Sequence, residues 1–153
     1  MLNLNCPEAP LRPLIRKFTD AITPVTGSGI LDFKQLQSRE LCLFWPNILI
    51  YRREPKLNDY RIIFTGTTTC TTYNKDWTGT LMSEMSFGPA LKELHKLNDQ
   101  VLKTGKRYFL SGIHDWKDKE FVKWWQVRMP LKRGEICNEV LLCLDFEHQK
   151  DGM

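Results

Sequence analysis

The sequence predicts an α+β domain, an antiparallel sheet with helices across one face. Three observations predict it. Apolar, alternating runs at 107–113, 121–131 and 135–146 are separated by short polar turns, the pattern of strands paired with their neighbours. A second strand pair, 47–52 and 60–65, precedes them across the turn-rich Glu54-Pro55-Lys56-Leu57-Asn58-Asp59. Between the two groups, residues 89–104 repeat apolar side chains at helical spacing.

Taken in order, residues 1–9 show no periodicity and are expected as a loose tail. Over 10–22, Leu11, Leu14, Ile15, Phe18 and Ile22 fall on one helical face, and Pro13 suits a first turn. Pro24 and Thr26-Gly27-Ser28-Gly29 should then break the chain. A short helix is expected over 32–41, with Asp32 as its N-cap. Pro46 opens the first strand. In 60–65, Tyr60, Ile62 and Phe64 should share one face, and Arg61, Ile63 and Thr65 the other. The threonine-rich 67–73 reads as a short helix or turn ending at Asn74, which accepts a left-handed cap. Phe87-Gly88-Pro89 breaks the chain before the clearest helix, which buries Leu91, Leu94, Leu97 or Asn98, and Val101 and stops at Gly105. The last three strands turn at Asp115 to Asp118 and at Lys132-Arg133-Gly134-Glu135.

The faces of the last two strands carry the functional argument. Phe121, Trp125, Val127, Met129 and Leu131 alternate on one, and Ile136, Val140, Leu142, Leu144 and Phe146 on the other. These sets are expected to form a single apolar face under the helices. The opposite face would hold Val122, Trp124, Cys137, Leu141 and Cys143, too apolar to stand bare in water. Either the 11–22 helix covers it or a second copy does. Two-fold pairing is the commonest closed assembly, so a homodimer is expected, with Val122, Trp124 and Leu141 on the dimer or helix-covered face.

The chain has 153 residues, enough for one core. A net charge of +4 with scattered basic residues gives no nucleic-acid footprint. No run reaches a membrane span, and the N-terminus lacks a signal-peptide pattern. A cytoplasmic protein is therefore expected, with no membrane or nucleic-acid partner. Five cysteines without a Cys-x-x-Cys pair read as reduced thiols.

Asp59-Tyr60-Arg61-Ile62-Ile63-Phe64-Thr65-Gly66-Thr67 resembles an aromatic-Arg-x-x-x-x-Gly-Thr motif. Asp76-Trp77-Thr78-Gly79-Thr80 resembles Asp-Leu-Thr-Gly-Arg, and Val101-Leu102-Lys103-Thr104-Gly105-Lys106 and Met129-Pro130-Leu131 follow in order. Together they resemble the PAS superfamily of sensor domains, most of all its short bacterial single-domain proteins. The match covers 41–146. Asn74 stands where the family usually has Gly, and Thr80 where a basic residue is common. The resemblance implies a PAS-like, five-stranded antiparallel sheet with helices on one face, here with an N-terminal helical extension. It divides the chain into 1–40 (tail and extension), 41–148 (PAS-like domain) and 149–153 (C-terminal tail). It also implies signal perception or protein interaction, with a small molecule held between the sheet and the long helix in many members.

A pocket of that kind would be walled by Phe64, Tyr73, Trp77, Leu94, Trp125, Met129 and Leu142, each of which serves equally well as core. In haem-binding PAS proteins a histidine on the long helix can ligate iron, which singles out His95. A lone histidine is more often a surface or satisfied residue. The flavin photochemistry of Asn-Cys-Arg-Phe-Leu sites finds no counterpart, because Cys70 lies in Thr-Thr-Cys-Thr-Thr. No metal-ligand spacing, nucleophile with base, or phosphate loop is present, and Thr26-Gly27-Ser28-Gly29 lacks the lysine and helix such a loop needs. The expectation is a non-catalytic sensory or regulatory module that binds a small ligand or an unidentified signalling protein. The alternatives are a small cavity-containing α+β enzyme and a structural dimerisation domain with a filled core.

Overall fold

The computed structural model describes residues 2–27, 29–85, 88–115 and 120–150, with side chains described outside 114–121 and 148–150. Its strands are β1 (Leu2–Asn3), β2 (Leu31–Asp32), β3 (Ile48–Glu54), β4 (Asp59–Thr65), β5 (Tyr108–Asp115), β6 (Glu120–Arg133) and β7 (Ile136–Lys150). The helices are α1 (Pro13–Thr26), α2 (Phe33–Leu36), α3 (Arg39–Cys42), α4 (Thr67–Tyr73) and α5 (Ala90–Thr104).

One sheet runs β1-β5-β6-β7-β3-β4, antiparallel along this path, and β2 adds to β6 in parallel. The five long strands are the five expected from alternation. The sheet itself has seven strands among the described residues, because two-residue strands are too short to show a period. The segment expected as a loose tail supplies one of them. Leu2 pairs with Gly112, and the Cys6 N–H donates to the Phe109 carbonyl at 2.9 Å, so the edge of β5 is covered.

Helix α1 runs through Pro24, where a break was expected. Proline removes one N–H from the ladder. Pro24 is exposed, so the freed carbonyl one turn earlier faces water. The helix ends at Gly27, whose φ of 56° suits glycine. The expected 32–41 helix is two short ones. Asp32 caps α2, accepting from the Lys34 N–H at 2.9 Å, and the Gln35 side chain accepts from the Asp32 N–H in return. Ser38 then caps α3. Asn74 and Gly105 hold the left-handed positions expected of them, at φ 52° and 71°.

Helices cover both faces of the sheet, not one. On the first, Ile15, Phe18 and Ile22 of α1, with Leu36 and Leu41, pack on Ile48, Ile50, Trp125, Val127, Met129, Leu131, Leu141 and Cys143. On the second, Leu94, Leu97 and Val101 of α5 pack against Leu49, Tyr51, Tyr60, Ile62, Leu110, Val140, Leu142 and Leu144. The helical extension thus shares a core with the sheet. Of the two covers left open by the sequence, the chain's own helix is the one observed.

This sorting departs from the expected faces, and the cause is a one-residue bulge. At the β6–β7 turn, Arg133 pairs with Ile136. Continued without interruption, that register would set Met129 opposite Val140 and Trp125 opposite Leu144. The register shifts between Leu131 and Arg133, so Met129 pairs with Leu141, Val127 with Cys143 and Trp125 with Asp145. The extra residue is on β7, where Cys137 and Asn138 stand opposite the single Lys132, which pairs with Asp32 of β2. One added residue exchanges the faces of everything beyond it. Trp125 and Met129 therefore lie on the α1 face, while Trp124 joins Leu142 and Leu144 on the α5 face. A second shift, between Ile50 and Tyr51, does the same to β4. Tyr60 and Ile62 face α5, but Phe64 pairs with Ile50 and packs edge-on against Trp45, centroids 6.3 Å apart.

Candidate functional site

Between α5 and the sheet lies a cavity of about 470 Å³, a size ordinary for small-molecule sites. Its floor is the α5 face of the sheet, from Leu49 and Tyr51 on β3 to Trp124, Gln126 and Arg128 on β6 and Leu142 and Leu144 on β7. Its walls are Thr69 and Tyr73 of α4, Trp77, Met85, and the first turns of α5 through Pro89, Ala90, Glu93 and Leu94.

Two close approaches shape it. Trp124 lies over Gly112, its antiparallel partner, where any Cβ would overlap the indole ring. Glycine there lets a large aromatic lie down beside the cavity. Tyr73 meets Phe146 edge to face, with centroids 5.6 Å apart.

The polar groups of the cavity are few. Arg128 is 2% exposed. Its Nε donates to Gln126 Oε1 at 2.9 Å and its Nη1 to Asn98 Oδ1 at 2.6 Å. The guanidinium lies 5.9 Å from the Tyr51 ring centroid. No carboxylate among the described residues makes an ion pair with it, and Nη2 has no acceptor among them. Burial pushes Arg128 down to about 10, which leaves it charged at neutral pH. Burial also pushes the Tyr51 phenol up to about 12 and raises that of Tyr73. Among the described residues the Tyr51 hydroxyl reaches only Met85 Sδ, at 3.9 Å. Thr69 is buried, and its Oγ1 has no hydrogen-bond partner among the described residues.

Four of the seven residues expected to wall a pocket do so: Tyr73, Trp77, Leu94 and Leu142. Phe64, Trp125 and Met129 do not, because the two bulges place them on the α1 face. There Arg12 stacks on Trp125 at 3.8 Å and pairs with Asp145 at 2.8 Å. The face expected to carry Val122, Trp124 and Leu141 together does not exist. Leu141 is buried under α1, whereas Trp124 lines the cavity. Val122, buried as well, follows Trp124 in alternation. His95 lies outside the cavity lining. Its Nε2 is 3.0 Å from the Asn58 carbonyl, its Nδ1 is 3.6 Å from Asp99, and its ring meets Tyr60. That position gives no support to a role as haem ligand. His114 and His148 lie outside the described side chains, as does Asp118 outside the described residues. Among the described residues no three His, Cys, Asp or Glu side chains gather as a metal site. No helix among them is long and apolar enough to cross a membrane. All five cysteines are free, Cys6 and Cys143 fully buried.

The sequence reading missed Tyr51, Thr69, Gln126 and Arg128. One signal was available. Gln126 and Arg128 interrupt the apolar run Trp125-Val127-Met129 at alternate positions, so that run could never be buried on both faces without a charge to accommodate.

No protein-family model matches the chain, and no curated protein matches it in sequence. What the chain itself defines is an α+β protein with a ligand-sized cavity between a sheet and its longest helix.

Proposed function

We propose that this chain is a PAS-like sensory or regulatory module that holds a small molecule between its sheet and α5. The cavity carries the reading. A chain selected only for stability fills its core to the density of an organic crystal, and this one keeps about 470 Å³ open under a well-formed helix. Five long antiparallel strands crossed by a long helix agree with what the motif resemblance implies. Binding is favoured over catalysis by the titratable groups that line the cavity among the described residues. They are two tyrosines held protonated by burial, one exposed glutamate and one arginine. None pairs with another as acid and base near neutral pH.

In this reading the protein is cytoplasmic and passes its state to a signalling partner or through a homodimer. The homodimer no longer rests on an uncovered sheet face, since both faces are covered within the chain.

Mass spectrometry of natively purified protein, before and after denaturation, tests the proposal. A stoichiometric small molecule released on unfolding is the expected result. Protein that purifies empty, and whose melting temperature no compound in a small-metabolite panel raises, would return the chain to the filled-core class.

A further inference from the structure

We infer that the ligand of this cavity is a monoanion, a carboxylate on an aromatic or aliphatic body, with its charge held at Arg128. The inference rests on the cavity being a binding site and names the chemistry that site selects.

The argument starts from the cost of a buried charge. An ionised side chain taken out of water is retained only when paired or fully hydrogen-bonded. Elsewhere this chain obeys that rule. Glu139, 1% exposed, meets Arg133 at 2.8 Å and Arg52 at 3.0 Å. Arg128 is as deeply buried and has only two amide oxygens, from Gln126 and Asn98, for its five N–H donors. Those two bonds fix the orientation of the guanidinium and leave Nη2 without an acceptor among the described residues. The missing partner is an anion, and the space beside Arg128 is the cavity that it lines.

Two further groups agree. Thr69 offers a buried hydroxyl with no partner among the described residues. The first turn of α5 lines the cavity without a side-chain cap, so the positive end of a 15-residue helix faces it.

The charge of the ligand follows from the count of cations. Among the described residues Arg128 is the only basic one of the lining, and Glu93 lies at the rim with its side chain exposed. One positive charge neutralises a monoanion. A phosphate dianion would bring a second charge into apolar surroundings with nothing to meet it. The remaining lining, Leu49, Leu94, Leu142, Leu144, Trp77 and Trp124, calls for an apolar body.

Calorimetry with matched acid and amide pairs tests this: benzoate with benzamide, 2-naphthoate with 2-naphthamide, and decanoate with decanamide. Each amide keeps the shape of its acid and loses the charge. At least one acid should bind ten-fold or more tightly than its amide. Arg128→Met should abolish that preference, and Arg128→Lys should retain part of it. Acids and amides binding equally well to the unmodified protein would overturn the anion assignment and leave the cavity as a neutral-ligand site. Binding by no pair, in protein that also purifies empty, would overturn both readings. The comparison on the unmodified chain decides the matter even if Arg128→Met does not fold.

Discussion

The two faces of the sheet solve the same packing problem differently. On the α1 face, three helices close over the strands with the aromatic pair Phe18–Phe44 in edge contact at 5.3 Å, and the buried carboxylate beside that core, Glu139, has two arginines. On the α5 face, volume is left open and the buried cation has only amides among the described residues. Packing and charge are thus matched together on one side and unmatched together on the other. A fold under selection for stability alone has no reason to leave both deficits in one place. Their coincidence is what separates a scaffold face from a binding face.

The comparison depends on register, so breaking it should have the largest effect. Deleting Gln126 from the middle of β6 reverses the parity of Trp125 and every residue before it relative to Val127 and every residue after it. With the pairs from Val127 onward held, Trp125 would turn toward α5 and Trp124 toward α1. Each large apolar side chain misplaced costs about 1.5–3 kcal/mol, so the deletion should abolish cooperative folding, seen as a lost near-ultraviolet circular dichroism signal. A native-like spectrum and urea midpoint would show that strand parity does not set the faces.

Next in size is a pair of truncations. Phe18→Ala opens a hole in the closed face and should cost about 3–5 kcal/mol, whereas Leu94→Ala only enlarges an existing cavity and should fall near the low end of the ~2–5 kcal/mol range for such changes. Urea unfolding measures both. Equal losses would mean that the α5 face is packed as tightly as the α1 face.

Glu139→Gln should cost less, about 1.5–3 kcal/mol, the worth of hydrogen bonds to a charged group. Its partners Arg52 and Arg133 are 42% and 38% exposed and can turn to water once the carboxylate is gone. If stability is unchanged, the matched charge contributes nothing to the contrast between faces.

How far these features were legible in the sequence follows from their range along the chain. The five long strands, α4, α5 and the caps at Asp32, Asn74 and Gly105 are set by residues within a turn or two of one another, and all were readable. The face of a strand is set by its register with a strand far away. Cys137 and Asn138 carry no mark that distinguishes a bulge from strand residues, and the shift appears only where β7 pairs with β6. Two bulges therefore sent Phe64, Trp125 and Met129 to the wrong side and hid Trp124 from the site. The helical residues of the cavity, Tyr73 and Leu94, and the loop residue Trp77 depended on no such parity and were placed correctly. Arg128 was visible as a charge within an apolar strand, but its isolation from any carboxylate among the described residues is a property of the folded neighbourhood.

The smallest expected effect is a difference in alkaline behaviour between the two faces. Cys143 lies in the α1-face core, where burial raises its thiol from 9.0 to about 12. Tyr51 lies on the cavity floor, where burial raises its phenol from 10.0 to about 12. Both groups hold their proton more tightly folded than unfolded. Their contribution is complete below the unfolded value and is lost as pH climbs toward the folded one. Stability should therefore be flat through neutral pH, begin to fall near pH 9 as the thiol releases, and fall more steeply above pH 10 as the phenol joins. Arg128 opposes that second part. Its charged form is the disfavoured one in the fold, so the penalty it carries is relieved above about pH 10. Cys70 and Cys137, whose thiols burial also raises from 9.0, share the onset, and Tyr60 and Tyr73 share the loss above pH 10. Cys143→Ala should therefore reduce the loss between pH 9 and 10 without moving its onset, and Tyr51→Phe should reduce the loss above pH 10. Urea midpoints measured in half-unit steps from pH 7 to 11 would show this. A loss between pH 9 and 10 that Cys143→Ala leaves unchanged would mean that the closed face admits hydroxide or water more readily than its packing implies, and the contrast with the cavity face would weaken accordingly.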